Sequence, residues 1–113
     1  MERLHEMSCV PCEGTEPRAT DREIAELHPQ VPQWEIVEKE GETRLERTFM
    51  FNDFAGALAF TNRVGTLAEA EGHHPLIVLE WGIVKVEWWT HAIHGLHRND
   101  FIMAAKTEQA YVR

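Results

Sequence analysis

The chain has 113 residues, enough for one compact domain with a hydrophobic core, and its 43% hydrophobic and 27% charged residues are those of a globular protein rather than a disordered one. Its formal net charge of -8 argues against a sequence-independent grip on nucleic acid, which needs surplus Lys and Arg to displace counterions from phosphates. No apolar run approaches the ~20 residues of a membrane span and the first residues lack the apolar stretch of a signal peptide, so a cytoplasmic protein is expected, bound to no membrane.

Residues 1–19 mix Pro11, Gly14 and Pro17 with polar residues and show no period, so an N-terminal arm is expected there and one domain over 20–113. Cys9 and Cys12 form a lone CxxC inside the arm. A zinc site would need two more ligands from elsewhere, so a pair of reduced thiols is the plainer reading and a metal or redox role the alternative.

Thr20-Asp21-Arg22-Glu23 has the form of a capping box and predicts a short helix to about His28. After Pro29 and Pro32, the runs Trp34 to Glu38 and Arg44 to Phe51 read as strands joined through Glu40-Gly41-Glu42. In the second run Leu45, Phe49 and Phe51 share one face at period two, with Arg47 as the exception. Asn52 and Asp53 can cap the next helix, where Ala57, Phe60, Val64, Leu67 and Ala68 recur at three- and four-residue spacing. Gly72 suits its left-handed end.

Two more β-rich runs follow, Leu76 to Leu79 and Ile83 to Thr90, with Glu80-Trp81-Gly82 between them. Val84, Val86 and Trp88 share a face opposite Lys85 and Glu87. A last helix is predicted from about Arg98 to Tyr111, with Asp100 in its first turn. The order α-β-β-α-β-β-α predicts an α+β fold, a four-stranded antiparallel sheet with three helices on one face. Its other face is free, and dimerisation is one way to bury it.

Five of the seven histidines fall between residues 73 and 97. Taken singly, each is more often a surface or core residue than a catalyst; the clustering is what invites a chemical reading. Histidine has an ordinary pKa of about 6.5, which leaves roughly a quarter protonated at pH 7, so a pair can supply both an acid and a base. His74 precedes Pro75 and is pushed towards extended backbone, while His91 sits at a strand end beside a loop. The three-residue spacing of His91, His94 and His97 would suit a metal on a helix. Gly95 interrupts it, and solvated loop histidines are the better reading of His94 and His97.

The series Glu69-Ala70-Glu71-Gly72-His73-His74-Pro75, then Trp81, Thr90-His91 and Gly95-Leu96-His97-Arg98-Asn99-Asp100, resembles the signature of the pterin-4a-carbinolamine dehydratases. Arg47-Thr48-Phe49-Met50-Phe51-Asn52-Asp53-Phe54 and Ala59-Phe60 are also similar to that family, so the resemblance runs from about residue 20 to 112. It implies the same element order, a homodimer or homotetramer, and dehydration of 4a-hydroxytetrahydropterin to quinonoid dihydropterin with no metal or other cofactor. By position it implies that His73, His74 and His91 are the active-site histidines.

On this resemblance His73 is expected to be the main acid–base residue, His91 to assist at the leaving hydroxyl, and His74 to bind and orient the pterin. Glu69 orients His73, binds pterin or is simply solvated in the last turn of its helix; Asp100 either reaches substrate or serves its helix; Trp81 either stacks on the pterin or covers the sheet. The sequence departs from the family pattern at His97, where Ser or Thr more often caps the last helix, and a weaker cap is expected there. Two rivals stand beside the enzyme reading. One is a non-catalytic pterin-binding or dimerisation module of the same fold, acting as a transcription cofactor; the other is a metal-dependent hydrolase built on the histidines.

Overall fold

The structure is a computed structural model and describes residues 3–11 and 14–111. Its main elements are α1 (Asp21–Leu27), β1 (Glu35–Lys39), β2 (Glu42–Met50), α2 (Phe54–Glu71), β3 (Leu76–Glu80), β4 (Ile83–Trp88) and α3 (Arg98–Ala110). This is the α-β-β-α-β-β-α order read from the sequence. The four strands make one antiparallel sheet in the order β1-β2-β4-β3, so the two hairpins meet along β2 and β4.

Local chemistry explains where the elements begin and end. Thr20 accepts the Glu23 backbone N–H at 3.1 Å while the Glu23 carboxylate accepts the Thr20 N–H at 2.9 Å, the reciprocal cap that starts α1. Glu40 and Gly41 have φ of 54° and 79°, as a two-residue hairpin turn requires. The turn is therefore tighter than the sequence suggested, and Glu42 and Thr43 are already paired with Lys39 and Glu38. Asp53 caps α2 by accepting the Gly56 N–H at 2.7 Å, and Gly72, at φ 67°, ends that helix.

Leu45 and Phe49 of β2 and Val84, Val86 and Trp88 of β4 face the helices and join Phe60, Val64, Phe101 and Met103 in one buried cluster. Arg47 shares that side without breaking it. Its guanidinium lies over the Phe49 ring at 4.4 Å and donates to Glu108 of α3, which also accepts the Trp34 indole N–H at 2.9 Å. The half-buried charge is thus paired.

On the opposite sheet face, where its alternation places it, Glu87 is only 1% exposed. Burial alone would push its carboxyl pKa up, but hydrogen bonds from Lys39 at 2.6 Å and Arg44 at 3.0 Å outweigh that and bring it down to about 2.

The strand read as ending at Thr90 stops at Trp88. Thr90 instead bridges to Gly95, its N–H donating to the Gly95 carbonyl at 2.9 Å, and this closes a small loop around a 3-10 turn, His91–Ile93. Residues 1–19, expected to hold no element, contain a 3-10 turn at Leu4–Glu6 whose Leu4 belongs to the core cluster. A single buried leucine gives no periodic signal. Cys12, and with it the CxxC pair as a unit, lies outside the described residues. Among the described residues no helix is long and apolar enough to cross a membrane.

Candidate active site

Where α2 runs into β3 and β4 runs into the 91–97 loop, the chain leaves a concave pocket of about 400 Å³, within the usual range for small-molecule sites. His73, His74, Thr90 and His91 all line it. Two turns make this possible. The left-handed Gly72 swings the chain out of α2, and Pro75 holds His74 away from helix so that β3 can begin at Leu76.

His73 is the most enclosed of the three, its side chain 10% exposed. Its ring lies parallel to the Trp88 indole, with the planes 8° apart and the centroids at 5.7 Å. Its Nε2 sits 2.6 Å from Asp100 Oδ1. The other Asp100 oxygen accepts the Thr90 hydroxyl at 2.8 Å and the His97 backbone N–H at 2.9 Å. A carboxylate so placed accepts the Nε2–H and leaves Nδ1 as the ring nitrogen free of any hydrogen bond among the described residues.

Asp100 is therefore not placed as the sequence expectation of a substrate contact requires. It is 0% exposed, does not line the pocket, and both its oxygens are engaged inside the protein. It is the residue that orients His73, a part for which Glu69 had been the candidate. Glu69 instead bonds to His74 Nε2 at 2.9 Å, and both side chains are exposed. Nor does the chain bring Trp81 to the histidines. It sits on the β3–β4 turn, 68% exposed, and the five residues of β3 separate it from them by roughly 16 Å.

His91 packs its ring on Trp89 at 4.3 Å between centroids, and Arg44 covers Trp89 at 3.8 Å. The rings of His94 and His97 turn to other uses. His94 bonds to Glu42 at 2.9 Å, and His97 caps α3 by accepting the Asn99 N–H on its Nδ1 at 3.1 Å. An imidazole thus does the work for which Ser or Thr was expected, and the capping box is complete through Asp100. The pocket also has lining that sequence reasoning missed, namely Cys9, Val10 and Pro11 from the N-terminal segment together with Glu71 and Asn99. Glu71 and Asn99 stood inside the series that carries the family resemblance, and Cys9 in the CxxC, but none of these was singled out for a pocket.

The fold is shared by solved proteins. A Brucella melitensis structure described as a transcriptional coactivator/pterin dehydratase matches with a TM-score of 0.75 at 30% identity, over 83% of this chain and 98% of that one. A pterin dehydratase-like RuBisCO assembly factor of the alpha-carboxysome shares the fold at a TM-score of 0.59 and 23% identity, over 69% of this chain and 88% of that one. The sequence profile described as Pterin 4 alpha carbinolamine dehydratase matches residues 17–110. Two relatives carry pterin-4-alpha-carbinolamine dehydratase as a provisional name. The Gloeobacter violaceus protein is 64% identical over 93% of this chain and 90% of its own, and the Chlorobium limicola protein 64% identical over 95% of each. This chain belongs to the pterin-4-alpha-carbinolamine dehydratase family, and so to the hydro-lyases.

Proposed function

We propose that this protein dehydrates 4a-hydroxytetrahydropterin to quinonoid dihydropterin by histidine acid–base catalysis, as a step in tetrahydropterin recycling. One observation carries the reading: His73, His74 and His91 line a single pocket, and a buried carboxylate fixes the proton on one nitrogen of His73. In the reaction the C4a–O bond breaks and the hydroxyl leaves as water after gaining a proton. N5 gives up its proton, and the electron pair of that N–H bond becomes the second bond of C4a=N5. His73, with Nε2–H held by Asp100, takes the N5 proton on Nδ1. His91 donates to the leaving hydroxyl, and His74 binds and orients the ring.

Positioned acid–base catalysis supplies about 10²–10⁴-fold, which suits a dehydration that already proceeds slowly in water. The decisive measurement is the decay of freshly generated 4a-hydroxytetrahydropterin with and without protein, repeated with His73→Ala. Acceleration by the wild type and its loss by about 10²-fold in the variant are expected. Binding of pterin with decay no faster than in buffer would favour the non-catalytic module instead.

Self-assembly is part of the same reading. Met50, Leu76 and Val78 on the open sheet face and Phe54 and Leu58 on α2 are exposed apolar residues, the surface a homodimer or homotetramer would cover. Sedimentation of the purified chain measures it.

A further inference from the structure

We propose that Cys9, Val10 and Pro11 form a substrate-contacting wall of the histidine pocket, and that Asn99 is the positioning residue that holds this wall in place. The identity of the ligand rests on the dehydratase reading above; the wall itself rests on the geometry alone.

The pocket has two sides drawn from distant parts of the chain. One is the folded frame that carries His73, His74 and His91; the other is the N-terminal segment at Cys9 to Pro11. The segment is fixed there by its backbone. The Cys9 N–H donates to the Glu71 carboxylate at 2.9 Å and the Val10 N–H to Asn99 Oδ1 at 3.0 Å, while the Val10 carbonyl accepts from Asn99 Nδ2 at 2.8 Å. The Asn99 amide therefore pairs with Val10 as a neighbouring strand would, spending its donor and its acceptor on one residue. Asp or Leu, with one of these functions or neither, would not do so. Asn99 is buried, so breaking the pair leaves polar groups without partners.

The segment is tied down on both sides of this contact. Before it, Leu4 is in the core and Lys106 donates to the His5 carbonyl at 3.1 Å. After it, Arg18 donates to the Ile93 carbonyl and the Ala19 N–H to the Leu96 carbonyl, both at 2.7 Å, on the loop that begins with His91. The segment thus bears on α3 and on the His91 loop at once.

With the Val10 amide and carbonyl already bonded, what the wall offers a ligand is apolar. The Val10 side chain is 56% exposed and the Pro11 ring is exposed as well. The Cys9 thiol is held neutral, since burial and then the neighbouring Glu71 carboxylate push its pKa up to about 12, so it stands here as a surface and not as a nucleophile. Imidazoles line the same pocket. A site lined by both hydrogen-bonding groups and hydrocarbon fits a flat heterocycle whose polar edge meets the histidines and whose face or substituent rests on Val10 and Pro11. This wall then sets which substituents are accepted.

The test uses full-length protein carrying Val10→Glu or Asn99→Ala, each checked for folding by its melting transition. A change at a binding wall moves KM and leaves kcat. KM for 4a-hydroxytetrahydropterin and Kd for the stable probe 7,8-dihydrobiopterin are expected to rise ~10-fold, with kcat within about twofold of wild type. Val10 is exposed, so its variant keeps the test open if Asn99→Ala does not fold. A second readout is Pro11→Glu, at the other exposed residue of the wall, for which the same rise in KM and Kd is expected. Unchanged KM and Kd in folded Val10→Glu and Pro11→Glu would overturn the wall. If wild type failed to accelerate dehydration while Val10→Glu still weakened probe binding, the dehydratase reading would fall and the wall would stand.

Discussion

His73 Nε2 lies 2.6 Å from Oδ1 of Asp100, a carboxylate with no solvent exposure whose other oxygen is occupied by Thr90 and the His97 amide. Asp100→Asn keeps the shape but not the chemistry. The side-chain oxygen of Asn is drawn to the two donors, which leaves its NH₂ facing His73 and forces the ring proton onto Nδ1. The proposed base is then blocked. A fall in kcat of about 10²-fold, comparable to that of His73→Ala, with little change in KM is expected from steady-state dehydration kinetics. A fall confined to KM would show that Asp100 shapes the pocket without governing proton transfer.

Glu87 should impose an acid limit on stability. Its carboxyl pKa falls from the ordinary 4.5 to about 2 in the folded protein, so its stabilising effect is complete above pH 4.5 and is lost as pH falls towards 2. Glu87→Gln removes the carboxylate that Lys39 and Arg44 share, leaving Lys39 with Glu46 and Arg44 with Glu42, and is expected to cost about 2 kcal/mol at pH 7. Urea unfolding at pH 7, 4 and 2.5 measures the difference from wild type, which should shrink as the pH is lowered. A constant difference would mean that ionisation of Glu87 contributes nothing.

Two glycines separate a rigid contact from a yielding one. A Cβ at Gly82 would come 2.9 Å from the Phe51 carbonyl oxygen, part of a backbone held by the Phe51 N–H to Gly82 bond at 2.8 Å. A Cβ at Gly95 would also meet an atom at 2.9 Å, but that atom is Arg18 Cδ, on a flexible side chain. Thermal melts should show Gly82→Ala costing about 1–3 kcal/mol and Gly95→Ala distinctly less. Equal losses would mean that Arg18 is as fixed as main chain.

Most of the architecture was readable because its signals are local. The caps at Thr20 and Asp53, the period-two faces of β2 and β4 and the terminal Gly72 each depend on residues within a turn or two of one another. What was not readable depends on pairs far apart in the chain. Asp100 announced itself as a first-turn acid, and that was true of one oxygen; that the other meets His73 needs the end of α2 to be brought against the start of α3. Glu69 lost its expected partner because the left-handed Gly72 aims the chain so that His74 passes its carboxylate. The alternation of β4 placed Glu87 on the outer face, but alternation says nothing about Lys39 of β1 and Arg44 of β2 arriving to bury and pair it. Leu4 to Pro11 carried no period at all and yet reach both the core and the pocket.

Trp88 belongs to two structures at once. One edge of its indole is anchored in the interior, where Nε1 donates to the Thr107 hydroxyl at 3.1 Å, and its flat side supports the His73 imidazole. Core and pocket therefore share this one side chain. A cavity opened around this tryptophan would shift the imidazole that the proposed chemistry uses as its proton acceptor, so on that reading turnover reports on the condition of the interior as a melting curve does.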